Sequence, residues 1–298
     1  MARVEANGIE LEYDSFGSPK GRPLLLIMGL GGQMIMWDEG FCEALAARGH
    51  YVVRFDNRDV GLSTKLGAAG VPNVMELMMR GAAGSAPQVP YTLDDMADDA
   101  AGLLDALGLD TVHVCGVSMG GMIAQTVAIR HGGRLRSLVS IMSSTGDPSL
   151  PPARPEAMAV LMSPPPADRA SSLDAAVRTW RTIGSPGFPF DEEKIRERAG
   201  RLYDRSFYPE GTARQLAAIL AHGSRAEKLR DVTAPTLVIH GADDPLVPLA
   251  GGRHTAEAIP GAELLVIPGM GHDLPEGAWP TLVGAISEHT AKAEAGRS

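Results

Sequence analysis

Three short segments carry side chains suited to be a nucleophile, a base and an acid. The first is Gly116-Val117-Ser118-Met119-Gly120, set between an apolar run over 111–115 and a helical pattern beginning near 119. A G-x-S-x-G at a strand-to-helix junction forces a sharp turn that lifts the serine hydroxyl off the carboxyl edge of a sheet. Its glycines are needed because a side chain at either place would crowd the turn or the neighbouring backbone. The second segment, His240-Gly241-Ala242-Asp243-Asp244-Pro245-Leu246-Val247-Pro248, follows an apolar run over 236–239. The third, Pro268-Gly269-Met270-Gly271-His272-Asp273, follows one over 263–267. A serine hydroxyl needs an adjacent base to attack at neutral pH. His272 would take the proton from Ser118, and a carboxylate would fix the imidazole tautomer and stabilise the imidazolium. Asp244 is the expected partner, because Asp-Pro-Leu-Val-Pro places it at the turn before the next helix; Asp243 is the alternative. An oxyanion hole completes the set. Its donors are expected to be the backbone N–H of Met119 and one from Gly29-Leu30-Gly31-Gly32, with Leu30 first and Gly31 next.

Other polar residues read as structural. His240 is expected to pack under the site and His222 to lie on the surface. Cys115 reads as a small core residue. Asp56-Asn57-Arg58-Asp59 reads as a turn with internal hydrogen bonds. The chain has 14 methionines, which give adaptable apolar surfaces. Gly31, Met34, Met142, Met158, Met162 and Met270 are the candidate walls of a hydrophobic substrate pocket, and core filling accounts for the same methionines equally well.

The elements that must position these residues follow from the hydrophobic pattern. Asn7-Gly8 between apolar segments predicts a two-residue hairpin turn. Continuous apolar runs over 24–28, 51–55, 111–115, 138–142, 236–239 and 263–267 suit parallel strands buried on both faces. Helical patterns cover about 37–48, 92–107, 119–131, 248–259 and 279–293, and Thr92 with Asp95 reads as a capping pair. The alternation predicts a doubly wound, mostly parallel eight-stranded sheet with helices on both faces. It is broken over 147–231, which opens with Pro148, Pro151, Pro152 and Pro155 and then carries only helical patterns, at about 171–183, 191–203 and 211–223. The expected division is a core of 1–146 and 232–298 with an inserted helical cap over 147–231. A second stretch, 63–90, reads as irregular.

At 298 residues the chain can bury a large core. Its formal net charge of -9 argues against nucleic acid and anionic membrane surfaces as partners. Neither Cys42 nor Cys115 belongs to a C-x-x-C pair, so neither a disulfide framework nor a zinc site is expected. No run approaches the ~18 to 20 apolar residues of a membrane helix, and no signal-like segment opens the chain. A cytoplasmic protein is expected, monomeric or homodimeric, acting on a small apolar ester without metal or organic cofactor.

On the strength of the three motifs the chain resembles the α/β-hydrolase superfamily over almost its whole length. Phe55-Asp56-Asn57-Arg58-Asp59-Val60-Gly61-Leu62-Ser63 looks like the loop after the fourth strand in many small bacterial esterases of this fold. Within the superfamily the chain is similar to serine esterases of the aclacinomycin methylesterase kind. The resemblance implies a carboxylic-ester hydrolase, working through an acyl-enzyme, with a helical cap. Many members carry His-Gly in the oxyanion loop, where this chain has Met28-Gly29. The same triad could serve an enol-lactonase, a carbon–carbon bond hydrolase or a perhydrolase, or persist in a non-catalytic receptor. Epoxide hydrolases and haloalkane dehalogenases carry an Asp where Ser118 stands.

Overall fold

The computed structural model describes residues 1–82 and 88–296. Asn7 and Gly8 both take positive φ, 50° and 78°. That matches the right-handed twist of the flanking strands, so β1 (Ala2–Ala6) folds back antiparallel on β2 (Ile9–Phe16). Six further strands follow: β3 (Arg22–Ile27), β4 (His50–Phe55), β5 (Val112–Val117), β6 (Leu135–Ile141), β7 (Thr236–Gly241) and β8 (Glu263–Ile267). They complete an eight-stranded sheet in the order β1-β2-β4-β3-β5-β6-β7-β8. β2 meets β4 antiparallel, and every pairing from β4 to β8 is parallel.

Strand side chains alternate between faces, and β3 shows what that does to a continuous apolar run. Leu25 and Ile27 enter one core layer, with Leu103 and Leu104 of α3 (Leu93–Ala106) and Ile123 and Val127 of α4 (Met119–Arg130). Leu24 and Leu26 enter the other, with Phe41 and Leu45 of α1 (Glu39–Ala47) and Leu282 and Ile286 of α11 (Trp279–Ala295). Each fully buried leucine contributes about 2 kcal/mol of transfer free energy. α3 starts where expected: the Thr92 hydroxyl accepts from the Asp95 N–H and the Asp95 carboxylate accepts from the Thr92 N–H. α10 (Leu249–Ala258) follows β7.

Between β6 and β7 lie five helices: α5 (Pro155–Leu161), α6 (Arg169–Ile183), α7 (Glu192–Arg205), α8 (Pro209–His222) and the single turn α9 (Ala226–Leu229). Part of the stretch expected to be irregular is instead helical, α2 (Val74–Ala82). It packs on α8 and turns Leu77 inward while Met75 and Met79 stay exposed. Local signals for it exist, since the Asn73 side chain accepts from the Glu76 N–H at 3.2 Å at its start and helix formers follow, and the contact with α8 adds to them. Residues 83–87 of the same stretch lie outside the described residues.

Candidate active site

β5 ends at Val117 and α4 begins at Met119, leaving Ser118 alone at the turn with φ 54° and ψ -121°. A non-glycine residue held at positive φ stores on the order of 1–3 kcal/mol of strain, which its surroundings must impose. They do so through backbone contact. A Cβ on Gly116 would lie 2.0 Å from the Gly120 carbonyl oxygen, and one on Gly120 would lie 2.1 Å from the Ile27 carbonyl oxygen. The Ser118 N–H donates to the Ile141 carbonyl at 2.9 Å, and the Ser118 carbonyl accepts from the Ser143 hydroxyl at 2.8 Å. β5, β6 and the loop after β3 together fix one strained residue, and its side chain remains half-buried.

The other two motifs converge on it. His272 Nε2 lies 2.9 Å from Ser118 Oγ, and His272 Nδ1 lies 2.7 Å from Asp244 Oδ2. A carboxylate only accepts, so Nδ1 carries the proton and Nε2 is left to accept from the serine. Asp244 is oriented through its second oxygen, which accepts from the Leu246 and Val247 N–H groups, each at 2.9 Å. Asp244 is 4% exposed and His272 7%, so little water competes for this relay. Asp243 has a different place. It is exposed, and its carboxylate accepts from the Gly269 N–H at 2.9 Å, tying the β7 and β8 loops together. His240 is fully buried beside Asp244, with Nε2 donating to the Val247 carbonyl at 2.8 Å, and burial lowers its pKa.

Two backbone N–H groups near the serine, those of Met119 and Leu30, have no partner among the described residues. Met119 opens α4, whose first N–H groups have no intrahelical acceptor. The loop after β3 presses on the nucleophile, with a Gly29 Cβ position 3.2 Å from Ser118 Cβ. There the Gly31 N–H is engaged, donating to Gln215 Oε1 of α8 at 2.8 Å, while the Leu30 N–H has no partner among the described residues. Loop position is set further by Asn57, whose side-chain amide donates to the Met28 carbonyl at 3.0 Å. Asp56 accepts from the Met34 N–H at 2.7 Å and pairs with Arg205 at 2.7 Å. Burial pushes the Asp56 carboxyl up, and Arg205 pulls it back.

The methionines divide. Met34 and Met270 are fully buried and Met142 nearly so, and the last two sit within the core layer below the sheet's carboxyl edge. Met158 on α5 and Met162 just after it are half-buried. Gly31 lies under α8, its Cβ position 2.8 Å from Thr212 Oγ1. His222 is half-buried, and burial lowers its pKa to about 4. Among the described residues no group of three or more His, Cys, Asp or Glu side chains could hold a metal ion.

The family model of the alpha/beta hydrolase fold matches residues 22–277. The chain belongs to that family. Among alpha/beta hydrolases it is 30% identical to rhodomycin D methylesterase DauP of a Streptomyces species, over 97% of this chain and 98% of the relative. It is also 30% identical to rhodomycin D methylesterase DnrP of Streptomyces peucetius, over 96% of each. Of solved structures, a thermophilic esterase from Thermogutta terrifontis superposes with a TM-score of 0.71 at 26% identity, covering 98% of this chain and 99% of that one. A meta-cleavage product hydrolase from Pseudomonas fluorescens gives a TM-score of 0.76 at 21% identity over 98% of both chains, a likeness of fold.

Within this hydrolase fold, the inserted helices hold the site in ways the sequence reading missed. The His272 N–H donates to the Ile183 carbonyl at the end of α6 at 2.7 Å, and the Gly271 N–H to the Ser185 hydroxyl at 2.9 Å. Ser185 in turn donates to Asp273, whose carboxyl is pushed up by burial. On the other side, Arg214 of α8 forms a two-pronged ion pair with Asp59, at 2.8 and 2.9 Å, with both side chains fully buried. Asp56-Asn57-Arg58-Asp59 is therefore a turn, as expected, that also receives the inserted helices. Nothing local distinguishes a buried Arg214-Gln215 pair from a solvated one on such a helix.

Proposed function

We propose that this chain is a serine carboxylic-ester hydrolase acting on methyl or short- to medium-chain esters of small apolar acids. The observation that carries the reading is the relay Asp244–His272–Ser118, at 2.7 and 2.9 Å. The full-length likeness to two rhodomycin D methylesterases supports the ester bond as the target. Ser118 Oγ attacks the ester carbonyl carbon as its proton passes to His272 Nε2. The Asp244 carboxylate stabilises the imidazolium, and the N–H groups of Leu30 and Met119 hold the tetrahedral oxyanion, each donor worth about 3 to 4 kcal/mol in the transition state. His272 then protonates the departing alkoxide. Water enters, gives its proton to the same nitrogen and attacks the acyl-enzyme, releasing the acid and restoring Ser118. No metal or organic cofactor takes part.

We read 147–231 as a cap over a core of 1–146 and 232–298. It sets substrate access, with Gly31, Met158 and Met162 offering surface to an apolar group and Met34, Met142 and Met270 packed behind. We read the protein as a cytoplasmic monomer or homodimer; among the described residues no helix is long and apolar enough to cross a membrane.

Hydrolysis of a chain-length series of p-nitrophenyl esters tests the reading. The wild type should turn over the short esters steadily, and Ser118→Ala should lose roughly a million-fold in kcat. Turnover that survives the substitution, or none in the wild type, refutes it.

A further inference from the structure

Gln215 is fully buried, has no charge to neutralise and reaches from α8 into the loop that carries the Leu30 N–H. Its Oε1 accepts from the Gly31 N–H at 2.8 Å, and its Nε2 donates to the Arg58 carbonyl at 2.9 Å. Both ends of the amide are thus satisfied by backbone of the core, from two different loops, so the side chain is fixed in one orientation. Gly29 to Gly32 form a four-residue turn, closed by the Gly32 N–H donating to the Gly29 carbonyl at 3.1 Å. Gly31 at its third position has φ 65°, the type II geometry that needs glycine there. Rotating the Leu30–Gly31 peptide would convert this turn to type I. The rotation would break the bond to Gln215, while the Leu30 N–H lies on the preceding Gly29–Leu30 peptide; what the bond to Gln215 fixes is therefore the place of the whole turn that carries the proposed oxyanion donor. Thr212, one turn earlier on the same face of α8, fills the space above Gly31.

We propose that Gln215 is a positioning residue for the oxyanion hole: by tying the Gly31 N–H to α8 and the Arg58 carbonyl it fixes the place of the turn, and with it the place of the Leu30 N–H relative to the developing oxyanion. The inference rests on the ester-hydrolase reading. It gives the cap a part in catalysis beyond substrate access, because a cap helix supplies the bond that shapes a catalytic loop. α8 itself does not depend on Gln215 to stay docked, since Arg214 anchors it independently on Asp59. Loss of the amide should therefore act locally.

The experiment compares wild type, Ser118→Ala, Gln215→Leu, Gln215→Asn and Gln215→Glu in the full chain. Two readouts are used: hydrolysis of p-nitrophenyl butyrate and inhibition by an alkyl trifluoromethyl ketone. In the inhibited state Ser118 Oγ bonds to the ketone carbon, its proton moves to His272 Nε2, and the carbonyl oxygen becomes an oxyanion. Gln215→Leu should lower kcat about 10- to 100-fold, the range for misplacing a catalytic group by about an ångström. KM should stay within about threefold of wild type, as expected when only transition-state stabilisation is lost. The ketone's inhibition constant should rise by the same factor by which kcat falls. Gln215→Asn, polar but one methylene too short to span both partners, should show the same split and serves if the leucine variant does not fold. Gln215→Glu keeps the acceptor for Gly31 and, held protonated by burial, a donor for the Arg58 carbonyl, so it should recover most of kcat. Wild-type kcat and ketone affinity in both the leucine and asparagine variants, or a rise in KM alone, overturns the assignment of Gln215 while leaving the esterase reading intact. Absence of wild-type turnover, or turnover that survives Ser118→Ala, overturns both.

Discussion

Replacing Asp244 by asparagine changes one oxygen to an amide nitrogen, and the site dictates where that nitrogen must go. Oδ1 accepts from two backbone N–H groups, those of Leu246 and Val247, each at 2.9 Å. An NH2 there would face two donors, so the amide oxygen takes that position. The NH2 then replaces Oδ2, 2.7 Å from His272 Nδ1. A donor at that distance obliges Nδ1 to accept, which moves the ring proton to Nε2, facing Ser118 Oγ at 2.9 Å. The histidine then presents a proton to the serine instead of an acceptor. It cannot act as base without first adopting the disfavoured tautomer, and its imidazolium has lost its counter-charge. A wrong tautomer of this kind lowers kcat about 10,000-fold, or about 5 kcal/mol at 1.36 kcal/mol per factor of ten. Asp243→Asn supplies the control. That exposed carboxylate accepts one bond, from Gly269, which an asparagine oxygen reproduces, so kcat should stay within about threefold, as for an ordinary surface change. Both variants should be assayed for steady-state hydrolysis of p-nitrophenyl acetate alongside thermal melting. Equal losses in the two variants, or an Asp244→Asn enzyme within tenfold of wild type, would refute the tautomer argument.

Gly116→Ala places a methyl 2.0 Å from the Gly120 carbonyl oxygen and 2.7 Å from the Gly121 nitrogen, both backbone at the start of α4. Overpacking with no flexible neighbour to yield should cost about 3 kcal/mol or more and abolish turnover; an active variant melting with wild type would show the elbow to be looser than the contacts imply. Acid should destabilise the fold before its carboxylates titrate. Burial lowers the folded pKa of His113 to about 3 and of His222 to about 4, below the ~6.5 of an unfolded histidine. Their stabilisation is therefore complete above pH ~6.5 and lost as pH falls toward about 4 for His222 and about 3 for His113, because the unfolded chain takes up protons that the folded one does not. Fully buried His113 alone should cost about 2 kcal/mol between pH 7 and 5. Urea midpoints should fall over that range, and less steeply in His113→Gln; identical slopes would remove His113 as the cause.

The site's three chemical groups were legible because each stands just past the carboxyl end of an apolar run, and G-x-S-x-G restricts the backbone strongly enough to be read without its surroundings. Spacing also ranked Asp244 above Asp243. What stayed hidden were the long-range contacts that no motif marks at either end. Asp59 and Arg214 are separated by 155 residues, and Gln215 and Gly31 by 184. A helical period reports that α8 has an inward face, but not which core groups will meet it. α2 differs, since Asn73 followed three residues on by Glu76 is a local start signal. These long-range bonds bear on the one departure from the expected motif, Met28 in place of histidine. The Met28 side chain is buried in the core. Its carbonyl is held by Asn57 and the peptide two residues on by Gln215. The course of the loop after β3 is thus set from the β4 loop on one side and from α8 on the other. A residue-28 side chain of either kind leaves those two backbone anchors in place, so the loop keeps its course without the histidine.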